Sequence, residues 1–239
     1  MSGHSHWSKI KHKKGASDVI RGNTFSKMAQ AIAIAAKDGG DPDMNPKLRM
    51  AIEKAKEINL PKENVERAIK KGCGEIEGIQ LQELSFEAFG PGGIAIMVEG
   101  ISDNKNRSLG EIKQALNKHN GKLAGEGSVK WLFERRGILA VDYQPEQDKE
   151  DFELKAIESG AENFSWYEDS LEIHTKIDDL EIVKNNLEKQ ELKVTSASLG
   201  WIAKEEIEIG EKDKEAANRL FEALDDTEFA QEIYSNLKN

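Results

Sequence analysis

The feature that most constrains this 239-residue chain is a single change in the spacing of its apolar residues, near Gly78. Upstream the period is that of a helix face, and downstream it is two, that of a strand with one buried side. From Thr24 onward, Phe25, Met28, Ala29, Ile32 and Ala36 recur every three or four residues, and Gly39-Gly40 stops the run. Asn45-Pro46 supplies an N-cap and then a proline whose missing N–H costs nothing in a first turn. Leu48, Ala51, Ile52 and Ala55 make a second stripe. Asn59-Leu60-Pro61 breaks and restarts the chain, Val65, Ala68 and Ile69 make a third stripe, and Gly72 is placed for a left-handed helix ending. Residues 24–72 are therefore expected to form a three-helix bundle.

Beyond Gly78, Leu84, Phe86 and Ala88 alternate with polar residues, Gly90-Pro91-Gly92-Gly93 turns the chain, and 94–98 returns as the second strand of a hairpin. A helix from about Asn106 places Leu109, Ile112, Leu116 and His119 on one face and ends at Gly121; a strand is expected next, with Val129, Trp131 and Phe133 alternating. From Gly137 the pattern reads strand 138–143, helix 148–159, a short strand near 164–167, strand 171–175, helix 178–190 and strand 192–199, a βαββαβ unit. The last helix, around 212–224, and a strand near 232–236 have no partner in that unit and would complete the earlier ββαβ. The expected fold class is α+β: an N-terminal three-helix bundle followed by two α/β, ferredoxin-like domains, the second inserted in the first. The expected boundaries are 1–75 for arm plus bundle, 76–136 with 203–239 for a discontinuous domain, and 137–202 for the insert.

Charge is distributed as unevenly as period. Residues 1–37 carry seven Lys/Arg against Asp18 alone, a net of +6, whereas residues after 75 carry 19 basic and 35 acidic side chains, a net of −16. An overall charge of −10 would repel polyanions on average, so the asymmetry points to one end that meets an anionic partner. No apolar run approaches the roughly 20 residues that span a bilayer, and no apolar stretch backs the charges of the first residues. A cytoplasmic chain without membrane contact is expected. A lone cysteine, Cys73, excludes an internal disulfide and reads as a small packed residue.

The arm from 2 to 27 carries the functional expectation. His4, Trp7, Lys9, Lys11, His12, Lys13 and Lys14, with Arg21 and Lys27, mix cations with an aromatic ring and lack the periodicity to fold alone. Lysines neutralise phosphates and release counterions, while an indole stacks on an unpaired base. The bland alternative is a solvated tail with Trp7 folded onto the bundle. His4, His6 and His12 have no acidic or thiol ligand beside them and sit among cations that oppose a dication, so no metal is expected. Lys70 and Lys71 are explained by the dipole at a helix end. Lys105 and Arg107 flank a helix start that could hold a phosphate, although Asp103 or Asn106 could equally cap it. The glycines at 90–93 lack phosphate-loop spacing. No nucleophile–base spacing appears, so no catalytic residue, cofactor or small-molecule substrate is expected. Protein contacts are expected through the acidic α/β domains.

The segments GHSHWSKIKHKK, RGNTFSKMAQAI, NPKLRMAIEKAKEINLPKENVERAIKKG, FGPGGIAIMVEG, SDNKNRSLGEI and GSVKWLFERRG occur in the order found in YebC/PmpR proteins. The chain resembles that family over nearly its whole length, least from about 142 to 193. The resemblance implies a helical domain, an α/β domain and a second α/β domain inserted in it. It also implies a DNA-binding transcriptional regulator, or, as in the related mitochondrial translational activator of cytochrome c oxidase, a ribosome-associated factor that eases elongation of difficult sequences. The chain departs from the family pattern at His6, Lys9, Asn23 and Ala31, while Trp7, Lys11, His12, Lys13, Lys14, Arg21 and Lys27 match it.

Two mechanisms follow. Promoter DNA would engage arm and bundle, although no basic recognition helix stands out; alternatively, ribosomal RNA would take the arm. Neutralising about six phosphates predicts a log-affinity against log-salt slope of roughly 5 on duplex DNA and roughly 4 on a single strand.

Overall fold

A computed structural model describes residues 18–76, 80–144, 146–167 and 169–238, with side chains from residue 22 onward. Its first helices are α1 (Asp18–Ala35), α2 (Pro46–Glu57) and α3 (Lys62–Gly72). They close on Ile32, Leu48, Ala55, Leu60 and Ala68, with Phe25, Met28 and Val65 around them. Asn45 joins two helices with one side chain. Its Oδ1 accepts the Leu48 N–H at 3.1 Å, capping α2, while its Nδ2 donates to the carbonyls of Ala35 and Gly39, each at 2.8 Å. Gly72 acts differently from the expectation: it is still helical, and a Cβ there would lie 2.3 Å from the Ala33 carbonyl oxygen. Close approach of α3 to α1 requires it, and the left-handed residue is Gly74, at φ +77°. Cys73 is exposed rather than packed, its Sγ 3.5 Å from the Ala36 carbonyl.

The chain then forms β1 (Gln82–Phe89) and β2 (Ala95–Ser102), paired antiparallel from Gln82↔Ser102 to Phe89↔Ala95. Helix α4 (Lys105–Lys118) and the two-residue strand β3 (Lys122–Leu123) follow. A second sheet comes next: β4 (Phe133–Asp142), α5 (Lys149–Glu158), β5 (Asn163–Tyr167), β6 (Ser170–Thr175), α6 (Leu180–Lys189) and β7 (Val194–Ala203). The chain returns to the first sheet through α7 (Glu211–Asp225) and β8 (Ala230–Ser235), which pairs antiparallel with β2. Among the described residues this is a mixed α/β protein of seven helices and two four-stranded antiparallel sheets.

The sheets are wired differently. The second has the order β5-β6-β4-β7, so its first and third strands are central, as in a ferredoxin-like βαββαβ unit. The first has the order β3-β1-β2-β8, with the hairpin strands central, so it departs from the ferredoxin-like order expected for it. One face of the first sheet buries Leu84, Phe86, Ile96 and Val98 against α4 and α7 through Ile112, Leu116, Leu220 and Leu224. Each such aliphatic side chain removed from water contributes about 1.5–3 kcal/mol. In the second sheet Leu139, Val141, Leu171 and Ile173 pack on Phe152 and Ala156 of α5 and Val183 and Leu187 of α6.

The strand expected through Val129, Trp131 and Phe133 does not form. Residues 130–132 make a 3-10 turn and Phe133 begins β4. The cause is Glu87, whose buried carboxylate accepts the N–H groups of Gly127 (2.6 Å), Val129 (2.6 Å) and Lys130 (2.9 Å). Burial pushes the pKa of this carboxyl up, but the three N–H donors and the nearby Lys130 charge outweigh it and hold the group below its usual range. Donors aimed at one carboxylate cannot pair with a neighbouring strand. An alternation of only three residues carries too little information to reveal this.

Candidate nucleic-acid interface

Of the residues expected to contact nucleic acid, His4, Trp7, Lys9, Lys11, His12, Lys13 and Lys14 lie outside the described residues, as does the side chain of Arg21. The backbone of Arg21 lies in the first turn of α1, so the basic arm feeds directly into the bundle.

Lys27 requires a correction. It is 6% exposed, and its Nζ donates to the Asp225 carbonyl and lies 3.6 Å from the Asp225 carboxylate at the end of α7. A buried, paired ammonium presents no charge to a phosphate. It belongs to a docking face: Asn23 donates to the Asp226 carbonyl at 3.5 Å, and Gln231 donates to the Lys27 carbonyl at 3.3 Å and reaches Gln30 at 3.4 Å. Positions 23, 27 and 30 share one helix face. That face of α1 is committed to the first sheet's domain.

The start of α4 is also corrected. Asn104, neither Asp103 nor Asn106, is the cap: its Oδ1 accepts the N–H groups of Asn106 and Arg107, each at 3.1 Å. Arg107 is held by Asp103 at 2.7 Å and faces Glu111 at 3.8 Å. The Asn104 cap takes two first-turn N–H groups that a phosphate would use, and Asp103 and Glu111 offset the Arg107 charge, so the helix start is a poorer phosphate site than Lys105 and Arg107 alone suggest. Glu111 itself has its pKa raised, chiefly by burial and also by Glu228, against which Arg107 acts.

The free cations lie elsewhere on the bundle. α1 and α3 bound a groove of about 380 Å³, lined on one side by Phe25, Ser26 and Ala29 and on the other by Asn64, Arg67 and Lys71. Asn64, Arg67 and Lys71 sit at i, i+3 and i+7, along the edge of the buried stripe of α3. Arg67, Lys70 and Lys71 make no ion pair among the described residues, whereas Lys62 on the same helix faces Glu66 at 3.7 Å. Lys70 and Lys71 occupy the last turn of α3, where the helix dipole favours them. Arg67 lies one turn earlier and went unread in the sequence. Its signal was present as the i, i+4 pair with Lys71, flanking an apolar stripe with no acid at either position.

A larger cleft, about 490 Å³, lies between the bundle and the ends of β1 and β2. Its cations are engaged: Lys37 donates to the Leu81 carbonyl at 2.5 Å and Lys47 pairs with Asp38 at 3.5 Å. Glu83 adds negative charge to its wall. It therefore suits a polyanion poorly. Among the described residues no three His, Cys, Asp or Glu side chains converge as metal ligands, and no helix is long and apolar enough to cross a membrane.

Comparison with known proteins places the whole chain. Residues 5–75 match the TACO1/YebC protein N-terminal domain, and residues 81–237 match the TACO1/YebC second and third domain. A protein of Desulfosudis oleivorans is 43% identical over 237 residues, covering 99% of this chain and 96% of its own length. One from Pseudothermotoga lettingae is 42% identical over 239 residues, covering 100% and 94%. Both carry the name "Probable transcriptional regulatory protein". The crystal structure of a conserved hypothetical protein from Aquifex aeolicus superposes with a TM-score of 0.89 at 40% identity, covering 98% of this chain and 96% of that one.

Proposed function

The chain belongs to the TACO1/YebC family, and from that premise we propose that it is a nucleic-acid-binding regulator of gene expression that takes the phosphate backbone of duplex DNA. Its relatives are named as transcriptional regulators, which supports regulation at the level of the family. The observation that carries the finer reading is that Arg67, Lys70 and Lys71, on the bundle into which the arm leads, meet no carboxylate among the described residues. The reading assigns no catalytic residue and no cofactor, and places the protein in the cytoplasm.

In this reading the arm, through His4, Trp7, Lys9, Lys11, His12, Lys13, Lys14 and Arg21, and the α1/α3 groove bind one continuous stretch of backbone. The outer face of α3 carries Glu63 and Glu66 beside Lys62, Arg67 and Lys70. Such mixed charge disfavours deep entry into the major groove, so contacts position the protein rather than read bases. The divisions 1–75, 76–136 with 203–239, and 137–202 serve as working units, the first binding and the other two holding it and meeting protein partners.

The test is the salt dependence of binding to a duplex fragment between about 50 and 200 mM salt. Replacing Lys9, Lys11, Lys13 and Lys14 by Ala should lower the slope by about 4, and Arg67→Ala with Lys71→Ala by about 2. A flat response of the unaltered chain would overturn the reading. So would co-sedimentation with ribosomes by a chain that ignores duplex DNA.

A further inference from the structure

Trp131 is the feature of this molecule that neither the core nor the basic bundle explains. It is 66% exposed, in the 3-10 turn 130–132 of the first sheet's domain, and it lines neither bundle cleft. Three contacts fix its position. The turn is anchored by the Glu87 carboxylate through the N–H groups of Gly127, Val129 and Lys130. The indole Nε1 donates to the Ser128 carbonyl at 3.0 Å. Lys204 Nζ donates to the Trp131 carbonyl at 2.9 Å.

These contacts decide what the ring can offer. Its one hydrogen-bond donor is spent inside the turn, so a partner meets a flat π surface and no polar handle. Lys204 is held against its backbone, and Lys130 is held 5.2 Å above the ring of Trp201, which Arg135 also approaches at 5.2 Å. Beside the turn Gly125 and Gly127 are exposed; a Cβ at Gly127 would meet nothing within 4 Å and one at Gly125 only the Ser128 hydroxyl, so the approach is low and open. Glu126 is the acid of that loop. A rigid aromatic plane with its N–H already spent and an unobstructed approach is the arrangement by which proteins stack unpaired bases.

We propose that Trp131, its backbone tethered by Lys204, is a stacking site for an unpaired nucleobase, separate from the arm and the α1/α3 groove. It extends the proposed function from duplex backbone to single-stranded segments, but does not depend on it, since it shares no residue with that surface. The ring supplies affinity without sequence choice, because every base has a π face.

The test titrates the full chain with oligo(dT) and oligo(U), and separately with duplex DNA, using the unaltered protein, Trp131→Ala, Trp131→Phe and Lys204→Ala. Single-strand affinity should fall roughly tenfold in Trp131→Ala, return most of the way in Trp131→Phe, and fall less in Lys204→Ala, with duplex affinity unchanged throughout. Thermal melts of each variant check folding, and the Phe variant keeps the test open if the Ala variant melts early. The proposal is overturned if Trp131→Ala and Trp131→Phe bind single strands as the unaltered chain does, or if no single strand binds. It is equally overturned if the substitution removes a protein partner while leaving single-strand affinity intact. Loss of duplex binding by the unaltered chain, with Trp131-dependent single-strand binding kept, would strike the proposed function and leave this site standing.

Discussion

The last two turns of α3 and the arginines of the two sheet domains treat their charge in opposite ways. In the sheet domains Arg135 bonds Glu99 at 2.9 Å, Arg107 bonds Asp103 at 2.7 Å, Arg136 meets Glu134 and Glu162, and Lys193 meets Asp142 at 2.8 Å. On α3, Arg67, Lys70 and Lys71 meet no carboxylate among the described residues, although the chain as a whole has an excess of acids. The sheet arginines hold structure together, whereas Arg67, Lys70 and Lys71 are spent on no carboxylate among the described residues.

The largest effect expected from this contrast is at Glu87. Its replacement by Ala leaves three N–H donors without their acceptor and should cost about 3 kcal/mol by urea denaturation. Because its folded pKa lies below the usual value of 4.5, its contribution is present above that value and is lost as pH falls through the depressed one. Acid titration of the unaltered protein and of Glu87→Gln should therefore diverge at neutral pH and converge in strong acid. Parallel curves would mean that the carboxylate charge contributes nothing.

Next comes Lys27, a buried bundle cation paired across the interface to α7. Lys27→Met keeps the aliphatic stem and removes the bond to Asp225, which should cost about 2 kcal/mol while leaving the salt slope of duplex binding unaltered. A reduced slope would return Lys27 to the interface and blur the contrast.

Arg67→Ala with Lys71→Ala should do the reverse, changing stability by no more than about 0.5 kcal/mol and lowering the binding slope by about 2. The smallest effect is expected at Lys193, an exposed side chain where it pairs with Asp142. Its replacement should leave both the thermal midpoint and binding unchanged, as exposed pairs contribute little.

The elements that the sequence made legible are those whose spacing is set by their own buried face. The Asn45 cap, the stripes of α2 and α3, the hairpin of β1 and β2 and the βαββαβ order of the second sheet all fall in this class, because each is decided by residues within a few positions of one another. Misreadings cluster where a distant residue intervenes. Glu87, some forty residues away, holds 127–130 as a loop and so ends the strand expected through Val129, Trp131 and Phe133, and Asp225 removes Lys27 from solvent from across the bundle interface. At the candidate site, the arm was legible as composition, while Arg67 emerged only when α1 was seen to leave the edge of α3 open.

By itself, then, the sequence determined the change from helical to strand period, the Asn45 cap and the polarity of charge along the chain, all of which are local sums over neighbouring residues. Tertiary structure alone decided which of those charges are still free. That decision depends on distances between residues far apart in the chain: a lysine becomes a tether when an aspartate meets it in a dry interface, as Asp225 meets Lys27, and keeps its charge at the surface where no carboxylate is brought near.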